Sequence, residues 1–399
     1  MSGLRLPRME DFSHRLRGPQ LTSRVGLWLG ITLTITFLTG VWSHFQQDTP
    51  GWLTIPTQPY WLYRVTQGTH VVSGIAAIPL LLVKLWSVYP RLFRRPPWRP
   101  TRAMVLHGLE RVSILALMAS VIFQLATGLS NAAQWYPWAF DFRSMHYAVA
   151  WVFIGSLLIH VAVKLPVIRQ ALGEPIDGPD EPVDVDSGEP VDGSAEEPRP
   201  VAASGLSRRG LLRITWAASG LAVLATAGQA LPWLRRVSVF GVTDGEGPQG
   251  VPVNKTAAEA RIEPVDDSWR LEVTYAGTSR RFSLDELRGM PQASHDLPIA
   301  CVEGWSGSGA WTGVPVADLV TAVGAPVDSR VFVASMQKRG AWRTSELPEQ
   351  FVEDRRTLLA LDLEGEPLHL DHGYPCRIIA PNRPGVLQTK WVQRLEVQA

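Results

Sequence analysis

Two cysteines in 399 residues, Cys301 and Cys376, allow at most one disulfide. Net charge is nearly absent as well: 38 basic residues against 37 acidic ones leave +1, with a pI near 7.9, so composition gives no electrostatic argument for nucleic acid. Formal charge is missing altogether from five apolar runs. Conversely, Gly173 to Ala203 is dense in Pro, Asp, Glu and Gly and holds almost nothing to bury, which excludes a packed element there. These gaps divide the chain into a membrane part and a soluble part.

What is present follows that division. Val25 to Trp42, Val65 to Val83, Val112 to Leu129 and Tyr147 to Val163 are each near the length that crosses hydrocarbon, and four such runs predict an all-α transmembrane bundle over 1–172. Arg8, Arg15, Arg17 and Arg24 precede the first run, and Arg91, Arg94, Arg95, Arg99 and Arg102 crowd the loop after the second. By the positive-inside rule these ends are cytoplasmic. The connections Ser43 to Arg64 and Ser130 to Arg143 carry fewer basic residues, and Trp52, Trp61, Trp135 and Trp138 suit an outer aromatic belt.

Histidine inside lipid is costly and usually functional. His70 lies on the second run, His107 beside the third, and His146 and His160 on the fourth. The last two are fourteen residues apart, which at about 100° per residue returns to nearly the same face and at about 1.5 Å per residue separates them by roughly 21 Å. That layout fits two stacked haems, paired by depth as His70/His146 and His107/His160, with His44 competing for the outer site. Histidines hydrogen-bonded within the bundle are the alternative. The bundle resembles membrane cytochromes b of the b561 or quinol-linked type. The resemblance implies haem b, arginines such as Arg64, Arg111 and Arg143 at the propionates, and exchange with the quinone/quinol pool in the lipid bilayer. A repeated Thr-Gly, Thr39-Gly40 and Thr127-Gly128, hints at duplication or at close helix packing.

Residues 173–206 read as an acidic cytoplasmic linker. It ends in Ser207-Arg-Arg-Gly-Leu-Leu-Arg213, followed by the apolar run Ile214 to Trp233, so that 207–235 looks like an internal twin-arginine signal retained as a fifth transmembrane helix. An ordinary positive flank on a fifth span is the other reading. The twin-arginine translocase exports folded proteins, which suits a domain that receives a buried cofactor first. Everything beyond about Arg235 then lies on the extracytoplasmic side of the plasma membrane.

Beyond Gly241 the pattern turns to short β-like runs, Trp269 to Tyr275, Ile299 to Val302, Arg330 to Ala334, Cys376 to Ala380 and Val392 to Val397, with short helices at Ser283 to Gly289 and Pro315 to Ala322. This predicts an α+β domain over 236–399. Cys301 ends the apolar run LPIACV, and Gly304, Ser306, Gly307, Ser308 and Gly309 then read as a glycine-rich loop that lets backbone approach something bulky. A metal thiolate, a disulfide to Cys376 and a small buried hydrophobe are all open to Cys301.

The blocks around it carry a second resemblance. Cys301-Val-Glu-x-Trp-Ser306, Trp311-x-Gly-Val-Pro-Val316 and Asp318-Leu319 come first, then Leu359-Ala360, Gly365-Glu-Pro-Leu368, His372-Gly-x-Pro-x-Arg377 and Lys390-Trp-Val392. In order and spacing they resemble the sulfite oxidase family of molybdenum-pterin enzymes, and within it the periplasmic methionine sulfoxide reductase catalytic subunits. The resemblance spans about Asp266 to Ala399. It implies that Cys301 ligates molybdenum beside a molybdopterin dithiolene. A pterin edge needs hydrogen bonds and its phosphate needs cations or amides, so Trp305, His372, Arg377, Arg383 and Lys390 are the candidate cofactor contacts, Arg377 and Lys390 at matched positions and Arg383 in Pro381-Asn-Arg-Pro-Gly385, a loop suited to wrapping a ligand. No second, immunoglobulin-like domain and no b5-type haem domain is visible.

Two departures bear on substrate. Glu303 and Trp305 stand after the cysteine where sulfite oxidases carry basic residues, and no active-site tyrosine appears in Ser335 to Leu347, although Arg339 and Arg343 do. The reading is a membrane molybdenum oxidoreductase that transfers an oxygen atom from a small, sulfoxide-like substrate, with b haems relaying electrons from the quinone pool. Two alternatives stand beside it: a sulfite-oxidase-like dehydrogenase delivering electrons inward, and a membrane cytochrome with a metal-free outer binding domain.

Overall fold

The computed structural model describes residues 15–90, 102–177, 206–228, 230, 232–240 and 247–398. The expected linker falls almost wholly outside the described residues, as do Arg8 and the basic residues from Arg91 to Arg99, and for His107 only the helical backbone is described.

Four helices, α1 (Pro19–Gln47), α2 (Leu62–Val88), α3 (Arg102–Ala132) and α4 (Phe142–Gly173), contain the four charge-free runs and are long and apolar enough to cross a membrane. Several of their polar side chains are satisfied locally: Thr32, Thr34 and Thr36 each donate to the carbonyl four residues back, and Asp141 caps α4 by accepting from the Ser144 amide at 2.9 Å. A fifth helix, α5 (Arg208–Thr226), has 19 residues and is not among the membrane-length helices. It stops before the expected Trp233. A Cβ at Gly228 would stand 2.6 Å from the Leu234 carbonyl oxygen, so the chain doubles back there into a short 3₁₀ turn, Pro232–Val237.

Contacts group the chain into two compact units that do not follow chain order. One comprises Met1–Leu38, Val72–Asn131 and Trp135–Leu224; the other comprises Thr39–Val71, Ala132–Gln134 and Ala225–Ala399.

The first unit is built on a stripe of α1, Leu21, Val25, Leu29 and Leu33, packed with Ala77, Leu80 and Leu81 of α2, Val121 of α3 and Phe153 of α4. The spacing of four along α1 keeps these side chains on one face. Arg24 donates to the carbonyls of Ala171 at 3.0 Å and Glu174 at 2.6 Å, satisfying the open end of α4. Arg208, buried, donates to the Ile176 carbonyl at 3.5 Å, and Arg209 lies 3.7 Å from Asp177.

The second unit holds a mixed sheet domain. It comprises α6 (Ala257–Ala260), β1 (Leu271–Tyr275), β2 (Thr278–Phe282), α7 (Leu284–Gly289), β3 (Ala293–Ala300), β4 (Ser306–Pro315), α8 (Val316–Ala322), β5 (Arg330–Ser335), β6 (Thr344–Leu347), α9 (Glu349–Glu353), β7 (Leu358–Leu363), β8 (Glu366–Pro367), β9 (Arg377–Ile379) and β10 (Val392–Gln398). One sheet runs β2-β1-β10-β5-β6, with β1 and β10 parallel; the other runs β3-β4-β7-β8, with β9 also on β7. Ser283 and Glu286 form a reciprocal capping box that starts α7 where expected.

The glycine-rich stretch after Cys301 differs from expectation: from Ser306 onward it is β4, a central strand rather than a loop. The glycines are there for packing, not for turning. A Cβ on Gly313 would stand 2.1 Å from the Leu359 carbonyl oxygen of β7, and one on Gly309 would stand 2.6 Å from Leu363 Cδ1.

Residues 39–71 belong to this unit's packing. Ile55 joins the core with Leu271, Val331, Leu347 and Leu395, and Trp42 and Leu53 lie against it. Asn382, in a left-handed conformation with φ 53°, accepts at Oδ1 from the Tyr63 amide at 2.8 Å and donates to the Pro56 carbonyl at 2.6 Å.

Candidate active site

Cys301 follows directly on β3 and opens the tight turn that leads to β4. Its amide donates to the Trp305 carbonyl at 2.9 Å, and the Gly304 amide donates to the Cys301 carbonyl at 3.1 Å. Gly304 has φ +93°, a conformation that disfavours a side chain. The turn therefore presents one buried thiol from a rigid strand end. Both cysteines are free, and Cys376 is buried with its thiol donating to the Val392 carbonyl at 3.5 Å, so the disulfide alternative does not describe this fold.

Cys301 lines a small cavity. Its lining combines apolar Pro252, Val253, Ile299 and Trp305 with His372, Arg377 and Lys390. β9 supplies Arg377, the approach to β10 supplies Lys390, and a 3₁₀ turn, Leu370–His372, supplies the histidine. Gly385, from the loop that follows β9, also lines it, as does Asn254 from the segment before α6, which did not stand out in the sequence.

The cations of the lining are buried without an acidic partner in it. Lys390, 8% exposed, donates from Nζ to the carbonyls of Lys255 at 2.5 Å and Asp371 at 2.9 Å. Arg377, 4% exposed, donates to the carbonyls of His372 at 3.0 Å and Gln388 at 3.2 Å, lies 5.1 Å over the Trp311 ring, and keeps a buried Nε with no partner among the described residues. Burial pushes Lys390 down to about 7 and Arg377 down to about 9. His372 is pushed down to about 4 by burial and by Arg377, and its Nε2 lies 2.6 Å from the Pro248 carbonyl oxygen, so it is a neutral donor near pH 7.

Charge held away from water and hydrogen-bonded to carbonyls rather than to carboxylates calls for an anion. An orphaned guanidinium Nε beside two cations and a buried thiol fits a phosphate-bearing, sulfur-ligated metal cofactor. Burial, with Glu303 second, raises the Cys301 thiol well above its ordinary value, so a soft metal would displace its proton on binding. Glu303 is itself raised by burial; its Oε2 accepts from Trp305 Nε1 at 3.1 Å and from Gln134 Nε2 at 2.7 Å.

The matches to known proteins agree with this chemistry. Residues 258–399 match the oxidoreductase molybdopterin binding domain. The protein-methionine-sulfoxide reductase catalytic subunit MsrP of Xanthomonas axonopodis is 32% identical over 122 residues, 27% of this chain and 38% of that protein. Sulfite oxidase of Drosophila melanogaster is 27% identical over 161 residues, 34% of this chain and 28% of that protein. Residues 258–399 are thus similar to a molybdopterin-binding oxidoreductase domain, and the same part of the fold carries the Cys301 site. A protein designated protein-methionine-sulfoxide reductase subunit YedZ1, from Azospira oryzae, is 30% identical over 148 residues, 37% of this chain and 55% of that protein. The chain spans about half the length of that relative and less of the others.

Cys301, Trp305, His372, Arg377 and Lys390, read from the sequence as cofactor residues, thus meet at one cavity. Arg383 does not line it. Its Nε donates to the Leu387 carbonyl at 3.2 Å, its NH2 to the Glu346 carbonyl, and its guanidinium lies 5.1 Å over Phe351, so it braces the loop of residues 381–388. Arg339 and Arg343 are also absent from the lining. Arg64, considered for a haem propionate, donates to Ser308 Oγ at 3.0 Å.

The histidines sit in different surroundings. His70 of α2 packs on α1 at Gly40, where a Cβ would stand 2.7 Å from its Cε1. His146 of α4 meets the second Thr-Gly: its Nδ1 is 3.0 Å from Thr127 Oγ1, and a Cβ on Gly128 would lie 3.7 Å from its Cε1. His160 is half-buried on α4, and the His107 side chain is outside the described residues.

Proposed function

We propose that this chain is a membrane-bound molybdenum oxidoreductase that reduces a small sulfoxide-like substrate on the extracytoplasmic face, drawing electrons from the quinone pool through b haems. The observation that carries the molybdenum part is the cavity that Cys301 lines with buried, anion-seeking Arg377 and Lys390. When bound, the cofactor would supply the oxygen-atom acceptor; the reaction consumes two electrons and two protons and releases sulfide and water. Cys301 would hold the metal, Arg377 and Lys390 the phosphate, and His372 a neutral hydrogen bond.

Glu303 favours a neutral or zwitterionic oxide over sulfite. It is the acidic side chain of the Cys301 turn, and the cavity lining holds no cation beyond Arg377 and Lys390 to offset the lost hydration of an anionic substrate. Arg377 and Lys390 are reserved in this reading for the cofactor.

The haem reading is supported by His146, whose Nδ1 lies 3.0 Å from Thr127 Oγ1, a contact that orients the ring as ligating histidines usually are held. A glycine-to-histidine contact recurs at Gly40 and His70, which fits a duplicated helix pair. His70/His146 and His107/His160 remain the proposed ligand pairs. Retention of the twin-arginine helix as a fifth, membrane-inserted segment is supported by Arg208, whose buried guanidinium ties α5 to the end of α4.

The deciding assay compares purified protein given reduced dye and methionine sulfoxide with the same protein given sulfite and an electron acceptor. Turnover with the sulfoxide, lost in Cys301→Ser with the haem spectrum intact, is expected. Turnover with sulfite and with no sulfoxide would replace this reading by the dehydrogenase one, and protein free of molybdenum would leave the binding-module alternative.

A further inference from the structure

The turn that bears Cys301 is held in place from a membrane helix. Gln67, in the second turn of α2 and 5% exposed, donates from Nε2 to the Val302 carbonyl at 3.1 Å and accepts at Oε1 from Ser43 Oγ of α1 at 2.8 Å. Because both ends of the amide are engaged, its orientation is fixed, with the donor end toward the cysteine turn. One turn further along α2, Val71 Cγ2 stands 2.8 Å from where a Cβ on Gly304 would be. The cysteine turn therefore touches α2 at two points about one helical turn apart.

The hydrogen bonds from the Cys301 and Gly304 amides are internal to the turn, so they fix its shape but not its placement. Placement comes from outside. Gln134 reaches Glu303 at 2.7 Å, but it is exposed, whereas Gln67 is buried and its contact part-buried. A hydrogen bond sheltered from water, with an oriented donor, resists displacement better than an exposed one. Residues 67, 70 and 71 also share one helix face, so the residue between the two contacts is His70, whose ring is locked against Gly40.

We infer that Gln67 is a positioning residue for the metal that Cys301 holds. Its amide sets where the peptide after Cys301 lies, and hence the angle at which Sγ meets the metal. It thereby makes the ligand turn and the His70 helix one mechanical piece. The inference rests on the reading of Cys301 as the molybdenum ligand and goes beyond it by assigning control of that ligand to a residue whose contact with the turn spans 235 positions of sequence.

The test uses full-length, cofactor-loaded protein in detergent, with Gln67→Leu, Gln67→Glu and Ser43→Ala. Gln67→Glu keeps the shape but turns a carboxylate oxygen toward the Val302 carbonyl oxygen. Molybdenum content, the paramagnetic resonance signal of half-reduced metal, and kcat and KM with reduced dye and methionine sulfoxide are read together. The expected result is retained molybdenum, altered g-values in both Gln67 variants, kcat down about tenfold or more in Gln67→Glu and KM within about twofold, with Ser43→Ala intermediate. Wild-type g-values and kcat in both Gln67 variants would overturn the inference. So would loss of molybdenum from both with helicity intact, because that would make Gln67 part of the cofactor cradle's folding rather than of ligand geometry. A Cys301→Ser protein with an unaltered metal signal would instead sink the ligand reading itself, whatever the Gln67 variants do.

Discussion

Lys390→Met separates a cation kept for an anionic cofactor from one kept for the fold. In the cofactor-free chain the ammonium is 8% exposed, with two carbonyls as partners and no carboxylate in the cavity lining, and burial carries its pKa from 10.5 to about 7. At about 1.4 kcal/mol per unit, the charged form costs the fold about 5 kcal/mol in the absence of an anion. Methionine keeps the stem packing and removes that cost, but it strands the carbonyls of Lys255 and Asp371, at about 1 to 2 kcal/mol each. The net expectation for cofactor-free protein near pH 7 is stabilisation of about 2 kcal/mol, or a Tm higher by about 4 to 8 °C. In loaded protein the sign reverses. Truncating one partner of a buried charge pair costs about 2 to 5 kcal/mol, so molybdenum occupancy after purification at limiting cofactor should fall at least about thirtyfold.

Proton linkage gives the same variant an independent check. Lys390 is a base whose folded pKa is depressed, so between about pH 7 and 10.5 the unfolded chain binds the proton and the folded chain does not, and stability rises with pH across that window. From pH 7 to 9 the gain from this group is about 2 kcal/mol; below 7 its penalty is full and constant. Lys390→Met should lack that rise. Thermal unfolding at several pH values, with metal analysis of the same preparations, makes the measurement. A cofactor-free variant that melts below wild type, keeps the pH slope and retains full molybdenum would refute the anion-site reasoning.

Other substitutions probe other contacts. Gly313→Ala puts a Cβ 2.1 Å from the Leu359 carbonyl oxygen, a backbone clash that no rotamer relieves, and should cost the sheet unit at least about 3 kcal/mol in thermal unfolding; a Tm within a degree of wild type would show that β4 and β7 can separate. Gly40→Ala must displace the His70 ring, so the haem absorbance should shift or fall while molybdenum is retained; an unchanged spectrum would argue against His70 as a ligand. Asn382→Ala removes acceptors and a donor that meet the Tyr63 amide and Pro56 carbonyl and leaves φ 53° to alanine, for a loss of about 2 to 4 kcal/mol, whereas Asn382→Gly keeps the backbone and should lose less.

Much of this protein was legible in one dimension, because the deciding physics is local. A charge-free run near twenty residues has no way to satisfy its backbone in lipid except as a helix, and α1 to α4 contain the four runs where composition put them. Ser283 and Glu286 start α7 through side chains three residues apart, and the apolar run before Cys301 announced the strand that Cys301 follows. The rest depended on partners distant in sequence. Glycines from Gly304 to Gly309 read as loop because their local signal is conformational freedom, and only pairing with β3 and the Leu363 side chain across the sheet make Gly307 and Gly309 strand residues. Arg383 looked like a ligand-wrapping cation until the carbonyls of Glu346 and Leu387 took its donors. The Trp233 end expected for α5 gave way to a turn at Gly228 set by Leu234 and Ser238. Gln67, Gln134 and Asn382 carried no signal in sequence at all, since an uncharged amide gains a role only when folding brings a buried carbonyl or carboxyl within 3 Å or so of it.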